Sequence, residues 1–379
     1  MREEEFYSGR EQTYIKHFFL EKYLEKVAYK IGSFNENFAF VDGFSGPWRT
    51  SDEASEDTSF MIAIRKLRQV REGLEATGRA FNIKCVFVEK DPVAYKHLQS
   101  AVADIKDVEI LTINGEFEDS IQDIVKEIQG RFALSFIDPT GWTGYSLNKI
   151  SPLLNHKPGE VIINFMFDHI NRFADHSDPR VAQGLNDLFG TDEWRDFLSS
   201  ENGRESALVE RYSKRIEEVG RYRFVAHTEV KKPLLDRTYF HLIYGTRHPQ
   251  GILEFRAAEK TSAMEQEAVR AGAKVSDKTA KTGQSDLFGV STESTADIFE
   301  KSRAIGLTKI RPVLIEYLQT KGNVKYLDAA AHVMSMPRIW ESDFKDLVIQ
   351  LRDDGLIKIV GMTEKQRKPN KDHLLRYVG

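Results

Sequence analysis

Only one cysteine, Cys85, stands among 379 residues. No internal disulfide and no multi-cysteine zinc cluster can form, so a reducing compartment is the expected setting. No run of about 18 apolar residues is available to span a bilayer, and nothing at the N-terminus reads as an export signal. A soluble, cytoplasmic protein without membrane contact is expected. The three-glycine turn that holds dinucleotides is also missing, so a nicotinamide cofactor is not expected. Against these absences, 41% hydrophobic and 30% charged residues are ordinary globular usage with enough apolar material for a full core. Collagen-like, mucin-like and wholly disordered chains are excluded. At roughly 100 to 200 residues per domain, the length suggests two domains, or one large domain with an appendage.

The net charge of −4 hides an asymmetry: residues 301–379 carry 15 basic against 9 acidic side chains, or +6, which leaves −10 for the rest. A basic appendage on an acidic body suits nucleic acid or a solvated surface equally well.

Between Thr13 and Lys30, the residues Ile15, Phe18, Phe19, Tyr23, Leu24 and Val27 fall at helical spacing on one face. Short apolar runs follow at Phe38 to Val41, Cys85 to Val88, Val108 to Ile113, Leu134 to Ile137 and Val161 to Phe167. Helical patterns separate them, which predicts a parallel, doubly wound α/β sheet covered on both faces. Thr58 or Ser59 is the expected cap of the first intervening helix. A helical insertion is predicted at about 168–221, and Tyr222 to Val230 with Arg237 to Tyr244 read as an antiparallel pair at the sheet edge. The first domain is expected to run through residue 270. Residues 271–299, rich in Gly, Ser, Thr and Lys, have the composition of a flexible connection. In 300–379, three helices precede two strands flanking a basic loop, the pattern of a winged helix.

The chemistry-bearing residues gather at predicted strand ends. Asp42-Gly43-Phe44-Ser45-Gly46-Pro47 places a carboxylate before two glycines that let backbone approach a nucleotide-type ligand, or that simply shape a turn. Glu89 ends the second strand, where an acid can accept both ribose hydroxyls. Glu116, after the third strand, is a candidate contact to a base amino group or a plain helix-dipole partner. Asp138-Pro139-Thr140-Gly141-Trp142 follows the fourth strand, which in such a sheet lies beside the first, so Asp42 and Asp138 are expected to face one crevice. Asp138 there would accept a nitrogen- or oxygen-borne proton and position a nucleophile. Phe44 and Trp142 would stack on a planar group or pack at the rim. His169, Asn171 and Arg172 open the insertion and are either substrate-selecting or loop-capping residues. No acidic or His cluster shows convincing metal-ligand spacing. Cys85 reads as a buried hydrophobe, which argues against thiolate chemistry.

These motifs, in this order, resemble a class I S-adenosylmethionine-dependent methyltransferase. With Lys16-His17 and Glu21-Lys22-Tyr23-Leu24 on the leading helix, they more narrowly resemble the three-Cys-motif partner (TcmP) family, over residues 10–260 with a winged-helix-like tail. The resemblance implies a Rossmann-like methyltransferase sheet and S-adenosylmethionine as cofactor. It also implies, as partner, a three-Cys-motif protein of radical-SAM-like character. It assigns Asp42, Gly43 and Gly46 to the cofactor loop, Glu89 to the ribose, and Asp138 with Pro139 to the transferred methyl, and Phe44 within that loop is a further cofactor-binding candidate. Trp48, where relatives carry a small residue, departs from the pattern. Thr140 and Gly141 depart from the Asp-Pro-Pro-aromatic motif of amino-group methyltransferases.

The expected function is methyl transfer to a nucleic-acid or nucleotide-type substrate; the alternatives are a non-catalytic adaptor and, more remotely, a Mg²⁺-dependent hydrolase. In the tail, the helix Ser342 to Arg352 is expected to expose Asp343 and Asp346 alongside Lys345, and acids at that place repel phosphate. Nucleic-acid contact would therefore fall to Lys365, Arg367, Lys368 and Lys371, unless the domain docks protein. Gln284 to Phe288 resembles a sliding-clamp-binding peptide.

Overall fold

Seven strands, β1 (Asn37–Asp42), β2 (Asn82–Glu89), β3 (Glu109–Asn114), β4 (Phe132–Ile137), β5 (Gly159–Phe165), β6 (Phe224–Lys231) and β7 (Thr238–Thr246), form one sheet. Their order is β3-β2-β1-β4-β5-β7-β6. The computed structural model describes residues 9–46, 57–198, 203–282, 293–363, 366 and 368–379. Two compact units emerge, one holding the chain up to Val225 with Glu229–Arg247, the other Ala226–Thr228 with His248–Gly379.

In the first unit β1 pairs in parallel with both β2 and β4, β5 continues in parallel beside β4, and β7 runs antiparallel to β5. The central strands are near-continuous apolar runs because helices cover both faces. These helices are α1 (Glu11–Gly32), α2 (Ser59–Glu75), α3 (Pro92–Val102), α4 (Ile121–Glu127) and α5 (Leu147–Leu154). The α1 helix buries Ile15, Phe19, Tyr23, Leu24 and Val27 and is tied to α2 by Lys66, whose ammonium lies 3.0 Å from Glu21 and 3.4 Å from Glu25. Thr58 caps α2 by accepting the Met61 N–H. Asp91 caps α3, where Pro92 occupies a first-turn position that needs no donor.

The strand order reverses between β1 and β4, and Asp42 stands opposite Phe136. Asp138 is thus two residues past that pair, and both strand ends open on the crevice where doubly wound sheets bind ligands. Between β5 and β6 come α6 (Phe167–Phe173), α7 (Pro179–Phe189) and α8 (Arg204–Gly220). Their shared core contains Leu185, Phe189, Trp194, Leu208 and Tyr212. Phe167, read as the end of a strand, instead opens α6, because β5 stops at Phe165.

The second unit contains α9 (Pro249–Thr282), α10 (Glu293–Lys321), α11 (Tyr326–Met334) and α12 (Glu341–Asp353). It also has a small antiparallel sheet of β8 (Val324–Lys325), β9 (Ile357–Val360) and β10 (Leu374–Tyr377) in the order β8-β10-β9. The expected flexible connection is corrected here: residues 271–282 continue α9 and 293–299 begin α10, and the unit starts at His248 rather than near residue 300. Composition misled because polar residues do the packing. Ser262, Gln266 and Arg270 are buried at four-residue intervals, below an internal ion pair in which Arg256 Nη1 lies 2.7 Å from Glu259. The rest of the Arg256 guanidinium donates to the carbonyls of His227, Met334 and Ser335. The clamp-like Gln284 to Phe288 lies outside the described residues. No helix among the described residues is long and apolar enough to cross a membrane.

Candidate functional site

Asp42 is wholly buried. Its Oδ1 accepts the Phe44 N–H at 3.0 Å and its Oδ2 accepts the Ser59 hydroxyl at 2.6 Å, so the carboxylate ties the loop after β1 to the start of α2. Burial pushes its pKa up to about 6, against the lowering effect of these two donors; the charge of Asp138 adds to the rise and that of Lys16 opposes it. Gly43 allows a close approach, but the group that approaches is internal. A Cβ at this position would sit 2.7 Å from the ring of Phe117, itself buried. Phe44 packs between Phe117 and Tyr145, with ring centroids 5.4 and 6.3 Å away. Pro47 and Trp48 lie outside the described residues.

Asp138 has a different setting. It lines a cavity of about 250 Å³ together with Lys16, His17, Ser59, Asn164 and Phe240; Phe44, Gly46 and Pro139 also reach it, whereas Asp42 does not. Lys16, brought in by α1, pairs with Oδ2 of Asp138, and Asn164 near the end of β5 donates to Oδ1 at 2.7 Å. The Asn164 amide also points at Met166 Sδ, 3.3 Å away, while its buried Oδ1 accepts no hydrogen bond among the described residues. An unpartnered buried acceptor costs about 1–3 kcal/mol, which a ligand donor or a water would relieve. His17 is neutral, since burial, aided by the charges of Lys16 and Arg10, pushes its pKa down to about 3 against a hydrogen bond with the Asp57 backbone. Arg10 and Asp57 form a second ion pair, 3.3 Å apart, in the same cavity. A carboxylate oriented by an ammonium and an amide, with acceptor capacity left over, can hold an N–H or O–H group in a fixed direction.

Glu89 is 6% exposed and accepts the Asp91 N–H at 2.7 Å; burial holds its pKa above the ordinary value. Its carbonyl receives Gly115 N–H and the Asn114 amide, which fastens the start of the loop after β3. Glu116 is half exposed, 3.5 Å from Lys90. Neither acid lines the cavity. Trp142 packs on Phe173, with ring centroids 4.8 Å apart. Cys85 is fully buried, and burial pushes its thiol pKa up, away from thiolate. Among the described residues no three His, Cys, Asp or Glu side chains are grouped to hold a metal ion.

The structure thus joins Asp138, Pro139, Phe44 and Gly46 in one cavity and leaves Asp42, Glu89 and Glu116 outside it. Lys16 and His17 entered the sequence reading only as carriers of the family resemblance, with no place in the site, and Asn164 not at all, although an asparagine inside the apolar run from Val161 was the available signal. In the second unit Lys368 and Lys371 are exposed between β9 and β10, and Lys365 and Arg367 lie outside the described residues. The expected exposure of Asp343 is corrected: it pairs with Arg303 and accepts the Trp340 N–H at 2.8 Å, capping α12.

No protein-family model matches the chain, and no curated protein does. Among solved structures the chain is similar to protein LPL1258 from Legionella pneumophila, described by the family model DUF519, at 8% identity. That likeness covers 64% of this chain and 89% of the other, with a TM-score of 0.37. It is also similar to a loganic acid methyltransferase solved with SAH, again at 8% identity, over 96% of this chain and 94% of the other, with a TM-score of 0.29. The chain is a mixed α/β protein with a seven-stranded, doubly wound sheet, and the reading of its site rests on the cavity geometry.

Proposed function

We propose that this chain is an S-adenosylmethionine-dependent methyltransferase-like protein, with Asp138 orienting a nitrogen or oxygen acceptor of a nucleotide-type substrate. The observation that carries the reading is Asp138 itself: a carboxylate at the topological switch point, lining a cavity and held there by Lys16 and Asn164, whose own carbonyl is unpartnered. When bound, the cofactor supplies a methyl on cationic sulfur, an electrophile that needs no acid. The residues that would hold it are Gly46 with Phe44 on the loop after β1, which line the cavity, and, for the ribose, Glu89 at the end of β2, which lies outside that cavity. Gly43 fits less well, because Phe117 takes its open side. On the substrate side, Asp138 accepts the N–H or O–H of the acceptor, Asn164 Oδ1 offers a second acceptor, and neutral His17 adds no positive charge beside Lys16.

The close packing of Phe117 on Gly43 specifically favours the second reading, a non-catalytic adaptor that keeps the fold without the cofactor. Titration calorimetry separates the two. The methyltransferase reading expects S-adenosylmethionine binding that Glu89→Gln weakens at least about tenfold, the scale of one lost charge-assisted hydrogen bond. Asp138→Asn should keep binding and lose transfer of labelled methyl to pooled DNA or RNA. A wild-type chain that binds no cofactor would leave the adaptor. As further parts of the proposal, α10 to β10 form a winged helix that meets nucleic acid through the loop carrying Lys368 and Lys371. A three-Cys-motif protein is the partner, and co-purification from cells expressing both tests the pairing.

A further inference from the structure

Three cations surround one buried carboxylate beside the cavity. Asp168, on α6, has a side chain only 3% exposed. Lys232 Nζ lies 3.0 Å from its Oδ2, Arg172 Nη2 3.5 Å from the same oxygen, and Arg237 Nη2 2.9 Å from Oδ1. A carboxylate buried this deeply needs one good countercharge; here it holds three, which leaves a local surplus of two positive charges. The surplus faces outward: Arg172 and Arg237 are 52% and 48% exposed. Arg237 makes no well-aligned hydrogen bond to Asp168, since Oδ1 accepts none despite its proximity. The donor fork of that guanidinium is therefore available to another acceptor. The neighbouring His169 also feels the excess, its pKa lowered first by burial and then by the charges of Arg172 and Lys232, against Asp168.

The cluster adjoins the cavity through shared residues. Lys232 Nζ sits 5.6 Å from the centroid of the Tyr239 ring, and the His169 ring meets the same tyrosine edge-on at 6.4 Å. Tyr239 lines the cavity, as do Asn164 and Met166, which directly precede α6 on the chain. Within the cavity the charges balance, Lys16 against Asp138 and Arg10 against Asp57. An anionic ligand therefore finds net attraction at the Arg172–Lys232–Arg237 rim and not deeper in. The three cations converge on the Asp168 carboxylate, and the half-exposed guanidiniums of Arg172 and Arg237 turn remaining N–H donors outward beside it, the donor type that suits the oxygens of a phosphate group.

Building on the proposed function, we infer that Arg172, Lys232 and Arg237 form a phosphate subsite, anchored by Asp168. It seats the phosphate of a nucleotide unit, free or within a strand, while the acceptor atom reaches Asp138.

The test is fluorescence anisotropy of the full chain with a labelled single-stranded oligonucleotide, competed by a nucleoside monophosphate, without S-adenosylmethionine. Arg172→Gln/Arg237→Gln removes the two half-exposed cations and keeps the Lys232–Asp168 pair, so the fold is retained. Binding should weaken at least tenfold, and the slope of log affinity against log salt should fall by about one to two, close to one for each phosphate-neutralising cation removed. Asp168→Asn should move affinity the other way, tightening it several-fold by deleting the anchor's charge at constant size. Lys106→Gln, at the opposite edge of the sheet, should change nothing. Lys368→Gln/Lys371→Gln marks any separate contribution from the second unit. Competition by the monophosphate assigns a free nucleotide, and its failure assigns a strand; both support the subsite. Wild-type binding of neither probe, or unaltered binding by the double variant, would overturn it. Cluster-dependent binding alongside absent cofactor binding keeps the subsite and removes methyl transfer, whereas cofactor binding with a silent cluster does the reverse.

Discussion

Asp42 and Asp138 end adjacent parallel strands at the same switch point, yet one is spent on architecture and the other faces a cavity. Asp42 is sealed in with Ser59 and the Phe44 N–H, whereas Asp138 keeps contact with open space and is steadied by Lys16 and Asn164. The difference arises in the loop that leaves each strand. After β1 the chain turns at Gly43 beneath Phe117, which draws the loop inward; after β4, buried Pro139 and exposed Thr140 carry it along the rim. A strand-end acid becomes a candidate ligand group only where the next few residues leave it solvent.

The largest expected effect breaks the closed side. Asp42→Ala orphans the buried Ser59 hydroxyl and the part-buried Phe44 N–H and should cost about 2–6 kcal/mol in urea unfolding, at about 1–3 kcal/mol per unsatisfied group. Asp138→Ala should cost less, since water in the cavity can replace its contacts; equal costs would erase the contrast. Next, Gly43→Ala should destabilise by about 1–3 kcal/mol through overpacking against Phe117, and Phe117→Leu in the same chain should recover part of the loss. If Gly43→Ala is neutral, the ring is not what fixes that glycine.

The pH response sharpens the comparison further. His17 has a folded pKa of about 3 against an ordinary 6.5. The unfolded chain therefore binds more protons between those values, and stability is lost as pH falls through them, by roughly 1.4 kcal/mol per pH unit at full effect. Asp42, about 6 folded against 3.8, acts oppositely: its contribution is present below 3.8 and is lost as pH rises through 6. The two slopes oppose one another between 3.8 and 6. His17→Gln should thus make the chain relatively more stable toward acid in that window, and Asp42→Asn should expose the histidine's steeper acid loss, both read from unfolding midpoints across pH. The smallest effect belongs outside the cavity: Glu116→Gln, removing a solvent-exposed pairing with Lys90, should stay within about 0.5 kcal/mol.

The sheet was largely readable because its strands are short, mostly apolar and separated by helical spacing, and the neighbouring of β1 and β4 follows from double winding alone. Asp138 could be found by its position after such a run. Lys16 could not be assigned to it, since the partners are 122 residues apart and only the docking of α1 brings them together. Asn164 was hidden within a hydrophobic strand, where one polar residue changes the pattern little. The helical continuation through residues 271–282 was missed for the converse reason: its preceding turns bury Ser262, Gln266 and Arg270, so the apolar stripe that marks an amphipathic helix fades before the helix ends.

Cys85 lies in the interior of β2 with no solvent exposure. The folded chain therefore has no accessible native thiol, and a cysteine placed at exposed Thr140 would react alone with a maleimide dye. Reporting on cavity occupancy by fluorescence would need one substitution and no prior removal of background sulfhydryls.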